Sequence, residues 1–150
     1  MILPIVASIL AWESLWWANR VHNRHTLYDK AKAHARSMKL PLVVVGAPDR
    51  GMTRGPGCGD LTLDIASTQC PCRMQVDITK RVPLPNNSAV VFVSCVLEYV
   101  NDLPSAWREL QRIAPKRVYV SRVQPWTLAA YLYPGAKRTL NAQLCRPPIL

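Results

Sequence analysis

Short β-branched runs recur through the middle of this chain, and they limit its architecture more than any other feature. Leu42-Val43-Val44-Val45 ends at Gly46, and Leu61 to Ile65 follows. Arg73 to Ile78 is a third candidate, Ala89 to Val96 (AVVFVSCV) is the strongest, and Arg117 to Val123 closes the series. Runs that stay apolar on consecutive positions fit strands covered on both faces. Before the last of them, Leu103 to Ile113 places Leu103, Ala106, Trp107, Leu110 and Ile113 at helical spacing on one face. Strands alternating with crossovers predict an α/β fold with a mostly parallel sheet. The 150 residues have room for one domain of ordinary size.

One crossover breaks the rule. Five of the six glycines, with Pro48 and Pro56, fall between Gly46 and Gly59. Glycine and proline are the two poorest helix formers, so the first two strands are expected to be joined by a loop. Pro83-Leu84-Pro85-Asn86-Asn87 reads as a turn before the strongest strand. Thr127 to Tyr133 is expected to be a short helix, and the end of the chain, through Arg146-Pro147-Pro148, to be extended.

The amino-terminal segment has a different character. Met1 to Ala18 is apolar except for Ser8, Glu13 and Ser14, and Trp12, Trp16 and Trp17 cluster toward its end. About 18 apolar residues reach the lower edge of what crosses a hydrocarbon core of roughly 30 Å. The expectation is a membrane anchor, with an amphipathic or packing helix as the alternative; Glu13 is the objection to a span. Asn19 to Lys39 carries six Lys/Arg, one acid and all three histidines. Without Pro or Gly it reads as a solvated helix with a thin stripe at Leu27, Ala31, Ala35 and Met38. Its bases would face anionic headgroups, and the positive-inside rule puts the rest of the chain on the cytoplasmic, or particle-interior, side. The expected divisions are 1–18 anchor, 19–39 basic helix, 40–135 α/β domain and 136–150 basic tail.

The net charge of +10 sits in the flanks. Leu40 to Glu109 holds six bases and seven acids, whereas the chain from Leu110 onward has seven bases and no acid. Such flanks suit a membrane or acidic protein partners; nucleic acid is possible but not favoured, because no readout residues accompany the charge. Five cysteines is an odd number, and no secretory signal precedes them, so reduced thiols are expected. Cys70-Pro71-Cys72 with Cys58 is a poor match to a zinc site, and no metal is expected; a disulfide is the lesser alternative.

The segment PLPNNSAVVFVSCVLEYVNDLPSAWRELQRI resembles the corresponding part of class I S-adenosylmethionine-dependent methyltransferases. In that family a proline-flanked loop, a hydrophobic strand, a Leu-Glu-His tripeptide and a helix with Arg-Glu-Leu-x-Arg follow one another. Leu97-Glu98-Tyr99 and Arg108 to Arg112 fill those slots here. The resemblance covers about 85 residues and implies a reduced, Rossmann-like methyltransferase sheet. It further implies that Gly46 begins the glycine loop, that Asp64 ends the second strand where a carboxylate holds ribose hydroxyls, and that Asp77 lies where an adenine amine is met. The alternative for both aspartates is a turn or cap.

The departures decide the functional expectation. The acid before the glycine turn is missing, Pro48 sits inside the turn, and the helix that should follow is replaced by loop. The reading is therefore a membrane-anchored, catalytically inactive methyltransferase-like protein with no cofactor, acting as a structural or assembly component. An assembly where a membrane meets a protein shell, such as a lipid-containing virion, would suit it. The alternative is an active small methyltransferase that uses S-adenosylmethionine in a pocket completed by a partner. No catalytic residue is identifiable.

Overall fold

The computed structural model describes residues 2–49 and 55–122. Helix α1 (Ile2–Met38) precedes β1 (Leu42–Val45), β2 (Leu61–Asp64), β3 (Arg73–Gln75) and β4 (Val90–Ser94). A 3-10 turn (Leu97–Tyr99), helix α2 (Leu103–Ile113) and β5 (Val118–Ser121) follow. The five strands form one sheet in the order β3-β2-β1-β4-β5, with every pairing parallel. This is the doubly wound α/β order, in which the strand sequence reverses between β1 and β4. The α/β class and parallel sheet expected from the sequence are thus present.

Alternation along the central strands divides the core. Val43, Val45, Val91 and Val93 face α2, where they join Leu63, Ala106, Leu110 and Ile113. Leu42, Val44, Val90 and Phe92 face the second half of α1, where they meet Tyr28, Ala31 and Ala35. Both faces of β1 and β4 are therefore covered, which is why their sequences read as unbroken apolar runs. Burying each large side chain such as Phe92, Leu63 or Leu110 contributes about 1.5–3 kcal/mol.

Local chemistry sets the ends of both helices. Asp102 caps α2 by accepting from the Ser105 amide at 3.0 Å, and Pro104 occupies its first turn, where no amide partner is needed. The Ser105 hydrogen bonds also hold the Asp102 carboxyl below its usual range. Helix α1 stops in a Schellman arrangement, with Leu40 N bonded to Ala35 O (3.0 Å) and Lys39 N to Arg36 O (3.1 Å). Lys39 takes the left-handed conformation that glycine usually supplies there, and Pro41 prevents the helix from continuing.

Several expectations need correction. The apolar and basic amino-terminal segments are one continuous helix, and no described helix is long and apolar enough to cross a membrane. Glu13, two serines and three tryptophans dilute the apolar character of residues 2–18. The face of α1 that meets the sheet is Arg24, Tyr28, Ala31 and Ala35, with Leu27 partly buried, whereas Met38 is exposed. Arg24 is thus not one of the solvated bases. Cys58 and Cys70 form a disulfide, with Cα atoms 5.8 Å apart, while Cys72 and Cys95 are free. β1 has its expected limits, whereas β2, β3 and β4 are shorter than their runs, β3 most of all in proportion. The expected helix at 127–133 and the tail lie outside the described residues.

The described residues on either side of 50–54, between β1 and β2, make several polar bonds. Asp49 accepts from Thr68 Oγ1 (2.7 Å) and Gln69 N (3.1 Å), and Gly55 N bonds to Pro48 O (2.7 Å). Tyr28 donates its hydroxyl to Cys58 O at 2.8 Å, and the disulfide ties the returning loop to the segment between β2 and β3. On the other side of the sheet, Arg112 donates to Leu84 O (2.8 Å) and Val82 O (3.0 Å), and Glu109 accepts from Val82 N (2.7 Å). These two residues of the Arg-Glu-Leu-x-Arg run fasten the proline-rich turn onto α2.

Candidate functional site

In open parallel sheets ligands bind outside the carboxyl ends of the strands, at the point where the order reverses. Here that point lies between the ends of β1 and β4, where Gly46, Ala47, Ser94 and Cys95 meet. Strand alternation puts Ser94 on the α1 face, one pleat beyond Phe92. Helical spacing puts Arg24 one turn before Tyr28, whose ring stands edge-on to Phe92 at 5.5 Å between centroids. Arg24 and Ser94 therefore coincide: the guanidinium donates to Ser94 Oγ through both Nε (2.9 Å) and Nη2, and both residues are buried. A buried guanidinium without such acceptors would be strongly unfavourable, so the pair fixes how α1 crosses this edge.

Gly46 lies in the left-handed region at φ +99°, and its amide bonds to Leu63 O at 2.8 Å. A Cβ added there would come within 2.5 Å of Val96 Cγ2 and 2.8 Å of the Ser94 carbonyl oxygen. The glycine is required because the ends of β1 and β4 approach this closely. Asp64 accepts from Ala47 N at 2.6 Å through one carboxylate oxygen and from Ala66 N at 2.9 Å through the other. Gly46 and Asp64 are thus brought together, with the carboxylate bound to backbone amides. Asp77 stands apart: it accepts from the amide (2.9 Å) and hydroxyl (2.7 Å) of Thr79, which hold its carboxyl below the usual range. That is an Asx turn.

Cys95 follows β4 with φ +52°, its amide bonded to Ser121 O at 3.0 Å and its sulfur 3.7 Å from Ser121 Oγ. Burial, and then the Glu98 carboxylate, push the thiol up; Arg24, the Ser121 hydrogen bond and Arg20 oppose this more weakly. A thiol held protonated is a poor nucleophile. Glu98 is fully buried in the 3-10 turn behind it. Among the described residues no group of three His, Cys, Asp or Glu is placed to hold a metal ion.

The residues that define the site, Arg24 and Ser94, were both missed by sequence reasoning. A signal existed: Arg24, Tyr28, Ala31 and Ala35 share a helical face as well as Leu27, Ala31, Ala35 and Met38 do. Choosing between the stripes requires knowing that a serine 70 residues away receives the guanidinium.

No protein-family model matches the chain, and neither a curated protein nor a solved structure does.

Proposed function

We propose that this protein is a methyltransferase-like scaffold that performs no methyl transfer and works as a structural or assembly component associated with a membrane. The observation that carries this reading is the filled crevice at the reversal of strand order. Arg24 covers the end of β4 through Ser94, Gly46 lies against Val96 and Ser94, and both oxygens of Asp64 accept from backbone amides. A nucleoside cofactor would have to displace all three sets of contacts. The replacement of the first crossover helix by a loop removes the free helix amino terminus that such cofactors use. The exposed apolar turns of α1 and the basic flanks suit contacts with a membrane and with protein, as in a lipid-containing particle.

Calorimetric titration of the full chain with S-adenosylmethionine and its demethylated product tests the reading. No binding is expected up to millimolar ligand; micromolar binding would overturn it and restore an enzyme whose pocket is completed by a partner.

A further inference from the structure

Three of the cysteines gather at the amino ends of β2 and β3, on the opposite edge of the sheet from the filled crevice. Cys58 lies three residues before β2, Cys70 three residues before β3, and Cys72 immediately before β3. The parallel register sets Thr62 opposite Arg73, which brings these two approaches side by side. Thr62, fully buried, links them: its amide donates to Cys72 O at 2.9 Å, and its hydroxyl accepts from Gly59 N at 3.3 Å. Cys70 and Cys72 are separated by Pro71 alone, so their backbones are at most about 7 Å apart.

The three differ in access. Cys70 is 1% exposed, its partner Cys58 is half-buried, and the free thiol of Cys72 is exposed. Cys70 is also held inward by bonds. Its amide donates to Thr68 Oγ1 at 3.3 Å, and that hydroxyl donates to Asp49 at 2.7 Å. Its carbonyl accepts from Arg73 Nη1 at 3.1 Å. Thiol–disulfide exchange requires a thiolate to reach a disulfide sulfur, so access decides which sulfur is attacked and by what. The Cys70 end of the bond is closed to solvent, while a third thiol stands at the surface beside it.

We propose that Cys72 is the entry thiol of a thiol–disulfide relay, through which low-molecular-weight thiols break the Cys58–Cys70 bond and their disulfides remake it. In the reducing direction the Cys72 thiolate attacks Cys58 Sγ. The Cys58–Cys72 bond forms, the Cys58–Cys70 bond breaks, and the departing Cys70 sulfur takes a proton. A thiolate from solution then attacks Cys72 Sγ, leaving a mixed disulfide there and Cys58 as a thiol. A second small thiolate frees Cys72, and the two small molecules depart as their disulfide. Two electrons and two protons have then passed to Cys58 and Cys70. Oxidation by a small disulfide reverses each step. The bond ties Cys58, whose carbonyl holds the Tyr28 hydroxyl, to the segment clamped by Asp49. The thiol status of the surroundings thereby sets how firmly these segments are joined, independently of the function proposed above.

The test uses the full oxidised chain with Cys145 replaced by serine, and reduced glutathione as the small thiol. Loss of the Cys58–Cys70 bond is followed by acid quenching and mass mapping of the peptides. Cys72→Ser, and the parent chain alkylated at Cys72, are each expected to lose the bond at least about fivefold more slowly, because the surface route is blocked. Thermal unfolding of both oxidised chains should match the parent, since Cys72 is exposed. Smaller slowing in both would overturn the inference and show direct attack on half-buried Cys58. In a Cys70→Ser chain, oxidised glutathione is expected to pair Cys58 with Cys72. A folded Cys70→Ser chain that keeps glutathione on Cys72 without forming that pair would also overturn it. The kinetic comparison decides alone if Cys70→Ser does not fold. Neither result bears on the filled crevice, which the cofactor titration tests separately.

Discussion

Two crossovers flank the centre of the sheet, and they are built by opposite means. Between β4 and β5 the chain forms α2, whose stripe of Ala106, Leu110 and Ile113 is buried against Val91, Val93 and Val118. Between β1 and β2 the sequence is rich in glycine and proline, and the described residues there are held by Asp49, by the Tyr28 hydroxyl and by a disulfide. The first is stabilised by apolar area, the second by a few directional bonds and a covalent tie. The contrast explains why α1 carries an arginine and a tyrosine toward the sheet. A loop cannot cover the face it crosses, so a helix from outside the crossover brings the side chains that satisfy Ser94 and the Cys58 carbonyl.

The comparison can be broken most severely on the helical side. Leu110→Ala is expected to cost about 3–4 kcal/mol, since it empties space in the core next to Val91 and Val93; urea unfolding followed by circular dichroism measures it, and a loss below about 1 kcal/mol would contradict the packing described. On the loop side, Cys58→Ser should cost about 3 kcal/mol, the entropy of opening a closed loop of this size. Before global unfolding it should increase proteolysis between residues 55 and 70 while leaving α2 protected from hydrogen exchange. Equal loss of protection in both regions would show that the two crossovers are not independent.

A smaller effect sharpens the difference through pH. The Arg112 hydrogen bonds and the Val82 amide hold the Glu109 carboxyl below its usual value of 4.5, although burial opposes them. A carboxyl depressed in the folded state contributes stability in full above its unfolded value and loses it as pH falls through the folded one. Acid below about pH 4.5 should therefore weaken the attachment of residues 82–86 to α2. Glu109→Gln should cost about 2 kcal/mol at neutral pH and flatten this part of the stability profile. An unchanged profile would remove Glu109 from the argument.

Those parts of the fold that depend on neighbours in sequence were legible. The β-branched runs gave β1, β2 and β4, and the stripe from Leu103 to Ile113 gave α2 at its observed limits, because each pattern is the direct imprint of a buried face. The edge strand β3 is three residues long where six were expected: Arg73 and Gln75 are exposed, and period-two burial is weak there. The disulfide was not legible, since the spacing of Cys58, Cys70 and Cys72 does not say which thiols the loop brings within reach. Arg24 was read as a headgroup-facing base because charge in a helix is ordinarily solvated. Only a residue on a distant strand reveals otherwise. The resemblance implies a cofactor role for Gly46 and Asp64, whereas their bonds to the protein's own backbone depend on how closely the strand ends approach, which no local pattern encodes.

Helix α1 runs unbroken from Ile2 to Met38, and after Pro4 it contains neither proline nor glycine. The turns that reach beyond the sheet and the turn that fills its crevice are thus one stiff rod. With the sheet as fulcrum, a change of about 10° in helix angle moves Leu3 by about 5 Å relative to Arg24. Reciprocity follows from thermodynamics: whatever constrains the outer end biases the contact between Arg24 and Ser94, and whatever loosens that contact alters the outer end by the same free energy. The helix therefore behaves as a lever, and events at its two ends cannot be energetically independent.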